Sequence, residues 1–226
     1  MKKIYLIFIT ILTLSCYSPD PLFHIRRLAR SEDLTKKEEA SLLYRQAIDT
    51  LVNAYSSLGG LNKDVGRRLM MSGEYLSAIK HFEIARDIRN NDSTIYYWLA
   101  VCYVNLYKIE KDPKYFELIE KNYEISLNLT PENKEVLYAY AQFLVYGKED
   151  YFKAIEILKK LVVLLKNNSM PDAYFLLGRA YYMVEDYENA LKIYETLKTF
   201  EKVLTKEQKE KLDEFIITVR GVIKNE

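Results

Sequence analysis

One spacing recurs along this chain and constrains its fold more than any other feature: an aromatic residue, a small residue three positions on, and a large apolar residue four further. It reads Tyr75, Ala78, Phe82, then Tyr151, Ala154, Leu158, then Tyr187, Ala190, Tyr194. Supersecondary units repeated in this way cannot bury their apolar faces alone, so the chain must stack them into an array. With 7 Gly and 5 Pro in 226 residues there is little material for the many turns of an all-β fold, while the Leu, Lys, Glu, Ala and Tyr content suits helices. The expected fold class is all-α, a right-handed superhelical array of antiparallel helix pairs.

The balance of 33 basic against 32 acidic side chains leaves no electrostatic footprint for nucleic acid or for an anionic membrane surface. Chemistry is equally poorly provided for. The two histidines, His24 and His81, have no second ligand three or four residues further on, and no cluster has zinc spacing. Cys102 lies between core places Ala100 and Tyr103 and reads as a small buried hydrophobe. The acids alternate with Lys at helical spacing, as on a solvated face, and Trp98 sits beside core Leu99. Gly66, Gly73, Gly147 and Gly178 are accounted for by helix crossings or turns. The expectation is a protein that binds, with no catalytic residue, no cofactor, no metal and no nucleic-acid partner.

The first residues carry a different signal. Met1, Lys2 and Lys3 are followed by an apolar run from Ile4 to Leu14 and then by Ser15 and Cys16. A positive start, about 7 to 15 apolar residues and a small residue before a break describe an export signal, and the run is too short to span a bilayer. Leu12, Thr13, Leu14, Ser15 and Cys16 resemble the lipobox of bacterial lipoproteins, with Thr13 where the usual pattern has Leu. That resemblance implies a signal peptide over 1–15 and lipidation of Cys16, which anchors the chain to a membrane of the cell envelope, on a periplasmic face or at the cell surface. Pro19 and Pro21 then discourage helix, so residues 16–34 read as a tether. Within it His24, Arg26, Arg27 and Arg30 form a basic cluster, either in contact with lipid headgroups or a solvated first turn.

From residue 35 onward the chain reads as one helical domain to its end. Thr35 and Glu38 have the spacing of a capping box, and Leu42, Leu43, Ala47, Ile48, Leu51, Val52 and Tyr55 recur at helical spacing. The expectation is a helix from Lys36 to Leu58 with one buried face, ended by Gly59 and Gly60. Thr205 with Gln208 opens a final helix through Ile223, with Leu212, Phe215, Ile216, Val219 and Ile223 inward. Such a polar-backed terminal helix is what an open array needs.

Between these, residues 59–204 resemble tetratricopeptide (TPR) repeats. The best copy, 171–204, has Tyr174, Leu177, Gly178 and Tyr181 in the first helix and Tyr187, Ala190, Tyr194 and Leu197 in the second. The small residues Gly178 and Ala190 mark the closest helix crossing. A copy at 59–92 carries Gly66, Leu69, Gly73, Tyr75, Ala78, Phe82 and Ala85. A copy at 134–170 has one residue too many in its turn. In the copy at 93–133 the second helix comes seven residues late, which makes Lys108 to Pro113 an enlarged turn: a drifted repeat or a recognition loop.

In TPR proteins ligands lie along the concave face made by the first helices. Carried onto this sequence, those places are Lys63, Arg67 and Met70, then Tyr97, Val101 and Val104, then Tyr138, Gln142 and Val145, then Phe175, Arg179 and Tyr182. Aromatics with interspersed cations suit an extended peptide or an amphipathic helix. Only Lys63 partly matches the clamp that reads C-terminal carboxylates in chaperone-binding members. The resemblances together imply a lipid-anchored scaffold that holds other envelope proteins or peptide segments. The alternative is a small-molecule-binding accessory lipoprotein of a periplasmic transporter, and a groove filled by the terminal helix stays open as well.

Overall fold

The structure is a computed structural model and describes residue 20, residues 22–165 and residues 170–224. The signal peptide and Cys16 lie outside the described residues. Among the described residues there is no strand. The chain divides into two compact units, Met1–Leu58 and Gly59–Glu226, and helix Leu34–Met71 runs through the boundary.

In the first unit, helix α1 (Phe23–Ala29) occupies part of the expected tether, and Arg26 pairs with Asp20 at 3.2 Å. Helix α2 (Leu34–Met71) starts two residues earlier than the Thr35–Glu38 box implies. Asp33 supplies the cap, its side chain accepting the Thr35 N–H at 3.0 Å. The expected stop at Gly59 and Gly60 is corrected, because the helix runs straight through both. A Cβ on Gly59 would stand 2.8 Å from Ile88 Cγ2, so this glycine lets a neighbouring helix approach. The expected buried face of residues 36–58 is corrected too: among the described residues of this unit Ile25 and Ala40 are the buried apolar ones, while Leu42, Ile48, Leu51, Val52 and Tyr55 are exposed.

The second unit is a succession of antiparallel helices. The end of α2 is followed by α3 (Tyr75–Ile88), α4 (Ser93–Glu110), α5 (Phe116–Leu129), α6 (Lys134–Phe143), α7 (Tyr151–Leu164), α8 (Pro171–Met183), α9 (Tyr187–Lys198) and α10 (Lys206–Ile223). From α3 onward each packs on the next in sequence. In the first and last pairs a glycine of the first helix meets a ring of the second. Gly66 faces Phe82, where a Cβ would come within 2.7 Å of the ring, and a Cβ on Gly178 would run into the Tyr194 ring. Ala100, Tyr123, Ala141 and Leu158 fill the same places in the middle pairs and are buried.

The four turns inside pairs share one device. Gly73, Lys111, Glu149 and Glu185 each have positive φ, between 56° and 84°, so each first helix ends on a left-handed residue. The next residue opens the second helix. Asp150 and Asp186 cap by accepting the N–H groups of Lys153 and Asn189. The enlarged turn of the second pair is resolved the same way. Helix α4 carries the extra residues through Glu110, Lys111 turns left-handed, and Asp112 caps a short 3₁₀ turn at Pro113–Tyr115.

The third pair differs from expectation. Its extra residue is held in a π-helical turn, Leu144–Lys148, at the end of the first helix, while the turn itself keeps the common form. Helix α10 begins with the expected capping box of Thr205 and Gln208. Leu212, Ile216 and Val219 are buried and Phe215 packs against that core, as an array end requires.

Candidate functional site

The side chains expected to form a row on the first helices of the four pairs have contacts that differ from pair to pair. At the start, Lys63 is committed to the chain itself: its ammonium pairs with Asp92 at 2.6 Å and lies 5.3 Å from the centre of the Trp98 ring. Burial pushes the Asp92 carboxyl up, and Lys63 together with hydrogen bonds from Thr94 more than offsets it, leaving the group below its ordinary value. Arg67 is exposed, 3.9 Å from the Met71 sulfur.

In the second pair Tyr97 is half-buried against the Tyr123 ring and donates its hydroxyl to Glu135 at 3.2 Å. Burial, with Glu135 beside it, pushes this phenol up to about 12. Val145 is buried and unavailable to a ligand, which corrects its place in the row. Phe175 meets rings of its own chain, Tyr194 at 6.5 Å and Phe215 of α10 at 6.1 Å, so the terminal helix covers this position.

The third and fourth pairs hold a different arrangement. Tyr138 is half-buried, and burial pushes its phenol up to about 12; Asp172 and Tyr146 act in the same direction, and a hydrogen bond with Gln142 opposes them. Gln142 is exposed one turn on, and Tyr146 is exposed at 60%. The guanidinium of exposed Arg179 stands 5.2 Å from the centre of the Tyr146 ring. Tyr182 packs its ring edge-on to Tyr187 at 5.3 Å. Beneath them Tyr194 is buried, its phenol pushed up by that burial and held partly back by Arg179.

Tyr138, Gln142, Arg179 and Tyr182 thus come together, while Lys63, Arg67, Tyr97 and Phe175 stand elsewhere along the row. Sequence reasoning missed Tyr146, and with it Glu135 and Asp172. Tyr146 belongs to the π-helical turn, and the extra residue between Tyr140 and Tyr151 was its only trace in the sequence. An ordinary helix carries each residue about 100° round the axis, and an inserted residue re-aims those around it. Such a surface offers ring faces, a guanidinium, an amide and the Asp172 carboxylate, groups of the kind that can meet a peptide backbone and side chains.

No His, Cys, Asp or Glu group suited to a metal occurs among the described residues. Cys102 is buried, and burial pushes its thiol up to about 12, far from a reactive thiolate. His81 shares a 2.8 Å hydrogen bond with Asn62. An open depression of about 350 Å³ is lined by Glu195, Lys198, Thr199, Ile216 and Arg220. It is built from α9 and α10, not from the first helices, and a 2.7 Å bridge joins Arg220 to Glu195 within it.

No family model matches the chain. Among curated proteins it is 28% identical over 163 residues to a TPR repeat-containing protein of Methanocaldococcus jannaschii, covering 72% of this chain and 26% of that one. The chain thus spans about a quarter of the length of this relative. Among solved structures it is similar to MamA from Desulfovibrio magneticus, with a TM-score of 0.55 at 16% identity, over 75% of this chain and 97% of that one. It is also similar to YrrB, described as a TPR protein with an unusual peptide-binding site, with a TM-score of 0.52 at 19% identity, over 62% and 68% of the two chains. The successive pairing of the helices and these likenesses agree on the architecture: the chain folds as an all-α, TPR-like α-solenoid.

Proposed function

We propose that this chain is a lipid-anchored scaffold of the bacterial cell envelope that makes and breaks no bond. It holds an extended segment or a helix of another envelope protein against the first helices of its third and fourth pairs. The observation that carries this reading is the cluster of exposed Gln142, Tyr146 and Arg179 with half-buried Tyr138 and Tyr182, polar and aromatic groups set on helices. The anchor rests on Cys16 and the apolar run before it. The peptide-binding site in the name of YrrB belongs to that protein and supports the reading only through the shared fold.

The test compares proteins retained by the tagged full chain from detergent-solubilised cells with those retained by Tyr138→Ala plus Arg179→Ala. Loss of specific partners is the expected result, and an unchanged set rejects this face. Metabolic labelling with a fatty acid tests the anchor separately: incorporation disappears in Cys16→Ala, or Cys16 is not the acylated residue.

A further inference from the structure

A cationic face of α1 has no part in the proposed binding site. Arg26, Arg27 and Arg30 are exposed there, and Phe23 is exposed at 57%. At about 100° per residue these four side chains fall within an arc of about 100° round the helix. Ile25, on the opposite side, is buried, and Leu28 next to it is half-buried. One side of α1 is thus seated, and the other offers water an aromatic ring among three guanidiniums.

The positive charge of this face is local and largely uncompensated. Between Asp20 and Glu32 the sequence has no acidic residue, an excess that the whole-chain balance of 33 basic and 32 acidic groups averages away. Arg26 is paired with Asp20 at 3.2 Å. Arg27 and Arg30 enter no ion pair among the described residues. Of the acids that follow, Asp33 is engaged with the Thr35 N–H and stands 3.9 Å from Lys36. We infer that this face of α1 lies on the anionic phospholipid headgroups of the membrane that holds the chain, with Arg27 and Arg30 on phosphates and the Phe23 ring between headgroups.

Charge, shape and reach select this occupant. Guanidiniums match phosphate oxygens as planar forks, and an apolar ring flanked by cations suits the boundary between headgroups and acyl chains. A nucleic acid would engage the arginines and leave the ring in water. Reach follows from sequence alone, given the proposed acylation of Cys16 on which the inference rests. Phe23 is seven residues beyond Cys16, and a chain extends by at most about 3.6 Å per residue, so α1 stays within about 25 Å of the acylated thiol. Held that close, the face meets the bilayer at high effective concentration, and each arginine near an anionic surface adds about fivefold.

The test uses the full chain purified in detergent and reconstituted into vesicles of phosphatidylcholine, with or without about one-third phosphatidylglycerol. Because Trp98 is the single tryptophan, Phe23→Trp with Trp98→Phe reports on position 23 alone. Brominated lipid should quench its emission at least twofold in the anionic vesicles and leave it unchanged in the neutral ones. The quenching should vanish at 1 M NaCl, where the Debye length is about 3 Å, and in Arg27→Glu plus Arg30→Glu. Amide hydrogen exchange of the wild-type chain needs no substitution and should slow over residues 23–30 on the anionic vesicles only. Equal quenching and exchange on both compositions, with the chain floating on both, would overturn the inference and leave the anchor standing. A chain that floats with neither would remove the anchor and the inference together, and protection of residues 23–30 by added DNA but not by vesicles would assign the face to nucleic acid.

Discussion

The two stretches of α2 before and after Leu58 are one unbroken helix, yet the chain uses them in opposite ways. After Gly59, small residues sit beneath neighbouring side chains, Gly59 under Ile88 and Gly66 under Phe82, and Lys63 is tied to Asp92. Before it, large apolar residues stand exposed. Apolar spacing alone therefore does not tell a covered face from an uncovered one. Small residues at fixed places are more telling, because a glycine or alanine under an aromatic ring has a use only if the ring is there.

The sharpest contrast is a pair of identical substitutions. Leu177→Ala, at a fully buried position, should cost about 2–5 kcal/mol in urea denaturation. Leu51→Ala, at a position 67% exposed, should change the unfolding free energy by no more than about 0.5 kcal/mol. Equal losses from both would erase the distinction.

A smaller effect is expected at the helix crossing. Gly178→Ala places a methyl group against the Tyr194 ring and should cost about 1–3 kcal/mol, whereas Gly221→Ala, where a Cβ meets nothing within 4 Å, should be neutral or stabilising. Thermal denaturation of the two variants separates close packing from mere helix propensity.

The smallest effect concerns the network that ties the second pair to the third. Glu120 accepts from Lys148 at 2.6 Å and from Lys153 at 3.0 Å. Burial pushes its carboxyl up, but the two lysines outweigh that and hold it below the ordinary glutamate value of 4.5. A carboxyl lowered in the folded state adds stability above its unfolded value and loses it as pH falls through the folded one. Glu120→Gln should therefore cost about 1–2 kcal/mol at pH 7, and its unfolding midpoint should converge on that of the wild type as pH drops below about 4.5.

Much of this was legible in the residues. Ala78 with Phe82, Ala154 with Leu158, and Gly178 with Ala190 and Tyr194 set the register of the pairs, because each occupies a place with one steric solution. Thr205 and Gln208 announced α10 because a capping box is local chemistry. Gly59 and Gly60 misled, since a glycine that ends a helix and one that admits a neighbour look alike in sequence. Thr35 misled for a similar reason: Asp33 competes for the same N–H groups and starts the helix earlier.

The proposed binding face was half legible. Tyr138, Gln142, Arg179 and Tyr182 follow from their places in the pairs. Tyr146 depends on a π-helical turn, and one surplus residue does not say whether a loop or a helix absorbs it. Phe175 occupies the right place but is covered by Phe215 of α10, a contact between segments forty residues apart that no local pattern encodes.

The claim that the third and fourth pairs recognise a partner is tested most directly by site-specific photocross-linking in growing cells. A photoreactive residue at Tyr146 should yield a discrete protein adduct, while the same residue at Phe152, 77% exposed on the second helix of the same pair, should yield none. Adducts from position 152 alone, or equal adducts from both positions, would contradict the account.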